Sequence, residues 1–430
     1  MRRRAVIEDL TAYLEDAPTP HHAVAVASGR LLDAGFIELD PTGPWEAEAG
    51  EGPAFVRRGG ALVAWGAGDG TPHAPLRLVG AHTDSPGLRL RPHPDRTSVG
   101  WRSLGVEVYG GALWNSWLDR DLRLAGRLVV REGTGSVRSV LLDTRRAIAR
   151  LPQLAIHLDR EVNSGGLRLD PQRHLAPVWG LEPDGPDSVV EALAYEHGID
   201  PGDVLGAELL LVDAQGPEQL GWRGELLAAG RLDDLVSVWA GLRALLATAT
   251  SGSSTVPVLV CWDHEEVGSE TATGAAGAWL AGILERRVSA LGGTRDELLR
   301  SLAGSALASA DVAHATHPNY PERHDPDHLL VAGGGPAVKH NANARYATDA
   351  GSAAAFVDAC RSAGVPLQHY SHRNDLPCGS TVGPLVAAGL AVDTVDVGPP
   401  ILSMHSAREL VAVADVEAFV DALGAWLAPR

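Results

Sequence analysis

"TVPVLVCWDHEEVGSE" (residues 255–270) runs from an apolar stretch, Val256 to Trp262, straight into Asp263, His264, Glu265 and Glu266. A short apolar run without polar alternation reads as a strand buried on both faces, the kind found in sheets sandwiched between helices. Adjacent carboxylates repel each other, and charges at the end of a buried strand need partners or a metal. In open α/β sheets, ligands bind outside the carboxyl ends of the strands. The stretch therefore predicts both a fold class and the edge of the sheet where chemistry belongs.

Outward from it, "PLRLVGAH" (75–82), "GSALASADVA" (304–313), "PAVKH" (336–340) and "AVDTVDV" (391–397) have the same strand character. Between them, residues 235–249, 349–364 and 415–427 have helical spacing, with Asp349 and Asp415 as N-cap candidates. Strands alternating with helices predict an α/β fold, a mixed sheet covered by helices on both faces. The middle of the chain differs. It holds strand-like pieces such as "LGVEVYGG" and "GRLVVREG" and Pro/Gly/Asp-rich loops such as "GLEPDGPDS", and reads as a β-rich second domain.

Composition narrows the class. At 430 residues and 45% hydrophobic, the chain can bury a core and form about two or three domains. A formal net charge of −18 argues against nucleic acid and anionic membrane as partners. No apolar run approaches the roughly 18 residues a membrane span needs. Glu8 and Asp9 interrupt the start, which argues against a signal peptide. Three cysteines are too few for a disulfide framework. A cytoplasmic protein is expected. Of the 36 basic residues only Lys339 is lysine. A preference that puts arginine everywhere else makes that exception informative.

Acidic residues and histidines recur at strand ends: "GAHTDSPG" with His82 and Asp84, "GRLDDLVS" with Asp233 and Asp234, "DHEEVGS" with Glu265 and Glu266, and "SADVAHATHPNY" with Asp311, His314 and His317. "PPILSMHSARE" adds His405, read as lying just before a helix. Singly, each has an ordinary structural reading. Asp84 could cap a turn, Asp233 and Asp234 a helix, His314 and His317 could sit on a helix surface, and His405 could cap a helix. Together, mixed histidine and carboxylate donors without cysteine suit zinc, cobalt or manganese.

The motifs "PTPHHAV", "HTDSPGL", "LDRDL", "LAIHLDRE", "RLDDL", "DHEEVGS", "SADVAHATHPNY", "KHNANARYAT" and "MHSARE" follow one another along nearly the whole chain. In that order they resemble the M18 aspartyl aminopeptidases, part of a wider clan of two-metal aminopeptidases. The resemblance implies two divalent ions, zinc first, with cobalt or manganese as alternatives. His82 and Asp311 would hold one and Glu266 and His405 the other, with Asp233 bridging. Glu265 would be the catalytic base and Asp84 would orient His82. His314, Lys339 and Tyr346 would line the pocket for an acidic side chain. His157 would reach a neighbouring subunit's active site. One departure is Asp234, where the family commonly has asparagine. The resemblance also implies a catalytic domain at 1–88 plus 226–430 and an inserted dimerisation domain at 89–225, with dimers assembling into a dodecamer. The substrates would be peptides with N-terminal Asp or Glu. An aminopeptidase of broader or neutral specificity and a non-catalytic oligomeric scaffold are the competing functions.

Overall fold

The computed structural model describes residues 2–183, 186–250 and 254–429, and the chain divides into two compact units. The first comprises residues 1–84, 218–404 and 409–430, and the second residues 85–217 and 405–408. The division falls at 84/85 and 217/218 instead of 88/89 and 225/226. The reason is pairing: Gly87 and Leu88 already belong to a strand that pairs with Tyr109 and Val108, while Glu218–Leu220 pairs with Leu226–Ala228.

The first unit is built on a nine-stranded mixed sheet. Its centre is β1 (Leu76–His82), β2 (Val256–Trp262), β3 (Ala306–Ala310), β4 (Ala337–His340) and β5 (Asp393–Gly398). In space the order is β2, β1, β3, β5, β4, and the first four run parallel. Alternate residues enter two separate cores. Val79, Ala81, Leu259, Cys261, Ala308 and Val397 pack with Trp239, Phe356 and Phe419 of the helices α1 (Leu232–Thr248), α2 (Ala350–Ala363) and α3 (Val413–Leu427). Leu78, Val258, Val260, Trp262 and Leu307 pack instead with Leu280, Leu284, Leu298 and Val386 of three other helices. Because successive side chains of a strand point to opposite faces, a run apolar throughout feeds both cores. Each fully buried Leu or Val contributes about 1.5–3 kcal/mol. A five-stranded sheet, which includes Leu226–Ala229, Glu409–Ala412 and Ala313–His314, completes this unit.

The second unit is a seven-stranded antiparallel sheet that closes on itself, since Val204–Asp213 pairs both with Gly87–Ser98 and with Asp121–Gly133. Its own core gathers Leu88, Leu104, Leu122, Leu124, Leu128 and Leu209. No helix among the described residues is long and apolar enough to cross a membrane.

Two helix starts were read from acidic residues, and they separate. Asp349 caps α2, its carboxylate accepting the Ser352 N–H at 2.7 Å in a capping box. Asp415 caps nothing. It lies inside α3, fully buried, and accepts the N–H groups of Gly333 and Gly335 at 2.8 and 2.7 Å. It ties a glycine loop to the helix, and Ala412 holds the N-cap position.

Gly398 ends β5 directly against the first residue beyond β3. A Cβ built there would lie 1.9 Å from the Asp311 carbonyl oxygen, while the Asp311 N–H donates to Val397 O at 2.9 Å. Gly398→Ala should therefore displace Asp311 and cost about 1–3 kcal/mol, the usual range for overpacking. Urea unfolding of the two proteins measures it. An unchanged midpoint would show that this backbone contact gives way without strain.

Candidate metal centre

Three neighbouring parallel strands deliver acids to one edge. β1 ends in His82, β2 leads into Glu265 and Glu266, and β3 leads into Asp311. Asp233 and Asp234 arrive from the first turn of α1, where both leave helical geometry and Arg231 before them is left-handed. One ligand atom from each of His82, Asp233, Asp234 and Asp311 lies within 4.8 Å of the others, and the same holds for His82, Glu265 and Glu266.

Strand alternation would send consecutive residues such as Glu265 and Glu266 to opposite sides. The chain has already left β2 at this point. His264 adopts a left-handed backbone, φ +68°, and the two glutamates lie in a single 3-10 turn. Asp84 determines that turn. Only 1% exposed, it accepts the Glu265 N–H on Oδ1 and the Glu266 N–H on Oδ2, each at 3.0 Å. Its Oδ1 is also 3.5 Å from His82 Nδ1, and its carbonyl oxygen is 3.0 Å from the same nitrogen. One carboxylate thus orients the histidine and fixes both glutamates.

His82 Nε2 is 3.2 Å from Asp233 Oδ1. The Asp233 N–H donates to Oε2 of Glu409, which is 2% exposed, at 3.1 Å. Glu409 belongs to the "MHSARE" motif, yet the sequence reading gave it no role. The available signal was a charge at a buried position of an apolar strand. Asp234 is fully buried and accepts the His82 backbone N–H on Oδ2 at 3.3 Å. Its Oδ1 is buried with no hydrogen-bond partner among the described residues.

The charges are crowded. Burial, reinforced by Asp311, Asp233 and Asp84 and opposed by His82, pushes Glu265 up to about 7. Burial and neighbouring carboxylates hold Asp234 and Glu266 well above the ordinary range and raise Asp311. Burial opposes a charged His82 ring, but the bonds to Asp233 and Asp84 outweigh it. Such a cluster calls for positive charge, either protons or a divalent cation. The orphaned Asp234 oxygen and the imidazole and carboxylate donors fit a borderline ion such as zinc.

Lys339 is 2% exposed on β4. Its Nζ donates to Val312 O at 3.1 Å, lies 3.7 Å from Asp311 Oδ2 and sits 5.2 Å from the centre of the Tyr346 ring. Tyr346 and His314 both neighbour Tyr370, with ring centres 6.3 and 6.1 Å apart respectively. Burial, then the Lys339 charge, pulls His314 down to about 4. His314 ends a two-residue strand and His317 follows in a loop, so neither is on a helix.

His405 belongs to the second unit. It does not precede a helix: a turn and the strand Glu409–Ala412 follow it. Its backbone is left-handed, φ +67°, and its Nδ1 lies 3.2 Å from Gly111 O. His157, also in the second unit, sits on an exposed turn beside Leu154, Ile156 and Leu158, which are 58%, 47% and 75% exposed.

The model of the Aminopeptidase I zinc metalloprotease family (M18) matches residues 13–426. A "Probable M18 family aminopeptidase 2" of Streptomyces coelicolor is 49% identical over 430 residues, 99% of this chain and 98% of that protein. The cryo-EM structure of the Ape4 and Nbr1 complex superposes with a TM-score of 0.95 at 34% identity, covering 99% of this chain and 86% of that one. The mApe1 dodecamer of Saccharomyces cerevisiae superposes at 0.84 and 27% identity, covering 97% and 95%.

Replacing Asp84 tests its double role. In Asp84→Asn, an amide NH₂ must face a backbone N–H, leaving a buried donor unpaired. Groups that orient metal ligands typically contribute 10–100-fold to affinity. Chelator competition should show zinc binding weakened by about that factor, with circular dichroism unchanged. Wild-type affinity would mean that the turn holds itself.

Proposed function

This chain belongs to the M18 family of zinc metalloprotease aminopeptidases, and from that premise we propose that it is a two-metal exopeptidase removing N-terminal aspartate and glutamate from peptides. As a member of the family it is a hydrolase that cleaves peptides from the N-terminus. The observation that carries the metal chemistry is that two donor groups share His82, one with Asp233, Asp234 and Asp311 and the other with Glu265 and Glu266. His82 and Asp311 are assigned to one ion, Glu266 and His405 to the other, and Asp233 to both. Ions bound there would polarise the scissile carbonyl and lower the pKa of the attacking water.

Glu265 takes the water proton and passes it to the leaving amine. It stands beside His82 and Glu266, where a positioned carboxylate can accept a proton from water. Asp84 keeps Glu265 in place and the His82 ring aligned. Preference for an acidic residue rests on Lys339, a compact buried cation at the border of the cluster. An ammonium fits a small pocket that a planar guanidinium would overfill. His314 and Tyr346 complete that pocket.

The insert is assigned to dimerisation, and dimers to a dodecamer. The exposed apolar turn around His157 supports this, as does likeness to the yeast mApe1 dodecamer. His157 would then serve a neighbouring subunit's site. A cytoplasmic location is part of the proposal, in keeping with Cys261, Cys360 and Cys378 all being free thiols.

Glu265→Gln should lower turnover about 10²–10⁴-fold, the usual contribution of a general base, and retain metal. Glu266→Gln should lose metal instead. Turnover and metal content of the two proteins decide it, and exchanged phenotypes would reverse the assignment.

Acid preference is measured with aspartyl and alanyl anilides, with and without chelator. Lys339→Ala should lower kcat/KM for the aspartyl substrate about 100-fold and affect the alanyl one much less, as loss of a desolvated charge pair predicts. Equal losses would make Lys339 a support for Asp311 and leave the preference to other residues.

A further inference from the structure

We infer that a histidine-lined cavity beside His314 is a second substrate subsite, which takes an acidic side chain on the residue following the scissile bond. This rests on the acid-selective reading of the site. The cavity measures about 270 Å³, and its walls include His314, His317, Arg323, His324, Tyr370 and His372. No carboxylate is among its lining residues. Lys339 and Tyr346 do not line it, so a carboxylate held by Lys339 is not the one this cavity accepts. His314 lies three positions past Asp311 and faces the cavity with Tyr370 and His372, whose ring centres are 6.1 and 6.4 Å from its own. His314 is thus common to this cavity and to the pocket assigned to the N-terminal side chain.

Its chemistry selects an anion. Burial is the first cause lowering His314, His324 and His372, which favours neutral rings. His372 is already engaged by the Tyr370 hydroxyl at 2.6 Å and the Pro377 backbone, so His314 and His324 are the rings that offer an N–H. His324 Nε2 accepts the His317 N–H at 3.1 Å, which puts the His324 proton on Nδ1. The fixed charge comes from Arg323, exposed at the end of the Pro321–Arg323 turn. Asp375 also feels Arg323, but its two oxygens are engaged by Arg373 at 2.6 and 3.0 Å. Glu322 acts on His324 but does not line the cavity, and a lining of one guanidinium with neutral donors recognises a carboxylate. Two sources could present it: a side chain, or the α-carboxylate of a dipeptide.

Amidated dipeptides separate these sources. With zinc-loaded enzyme, kcat/KM is compared for Asp-Asp-amide, Asp-Asn-amide, Ala-Asn-amide and the free acid Asp-Asn. Asp-Asp-amide should exceed Asp-Asn-amide by about tenfold, the factor one modest charged contact provides. Arg323→Glu, an exposed substitution, should reverse that order. Equal rates for the first two peptides, or a ratio unchanged in Arg323→Glu, would overturn the subsite. So would a preference confined to peptides with a free α-carboxylate. If Asp-Asn-amide still exceeds Ala-Asn-amide, only the subsite falls. If it does not, acid selectivity at the N-terminal residue falls, and the subsite with it.

Discussion

The carboxylate of Asp84 is the contact on which the rest of the centre depends. It takes two backbone N–H groups from consecutive residues and sits against the His82 ring. Hydrogen bonds to a charged group contribute about 1.5–3 kcal/mol each, enough to hold a turn that a left-handed His264 would otherwise disfavour. Asp84 therefore separates two chemically identical side chains, Glu265 and Glu266, into different positions. Parallel strands supply the other condition. Because β1, β2 and β3 run side by side in one direction, their ends bring His82, the two glutamates and Asp311 to the same edge.

That edge carries more negative charge than a protein interior tolerates unaided. Asp233 and Asp234 are 3% and 0% exposed, and both stand near Asp311 and His82. The chain compensates partly through Lys339, whose ammonium stands beside Asp311, and partly through backbone N–H groups. Asp84, Asp234 and Glu409 each accept at least one. Protons or divalent ions must supply the remainder. Carboxyls held above their ordinary range are the sign of that deficit. The same crowding that would destabilise an isolated cluster favours a cation once one is bound.

The sequence revealed the centre's members better than its geometry. Apolar runs ending in acids are visible in one dimension because a strand buried on both faces needs an unbroken apolar composition, and the acids mark where it leaves the core. Strand and helix positions followed from the same signal. Asp349 read correctly as a cap because capping is local, decided within a few residues. Asp415 misled because its partners, Gly333 and Gly335, are some 80 positions away. The turn that holds Glu265 and Glu266 is not legible locally, because it is imposed by Asp84, 181 positions earlier. Glu409 was passed over because its partner is the Asp233 backbone, and no residue pattern encodes that. The strand after His405 was hidden by the helix close behind it, since Glu409–Ala412 passes directly into α3.

The account turns on whether the acidic strand ends are a two-cation site. Anomalous diffraction from crystals grown with saturating zinc tests this directly. Two peaks per chain are expected, both touching Asp233, one also touching His82 and Asp311 and the other Glu266. A single peak, or peaks that avoid Asp233, would contradict it.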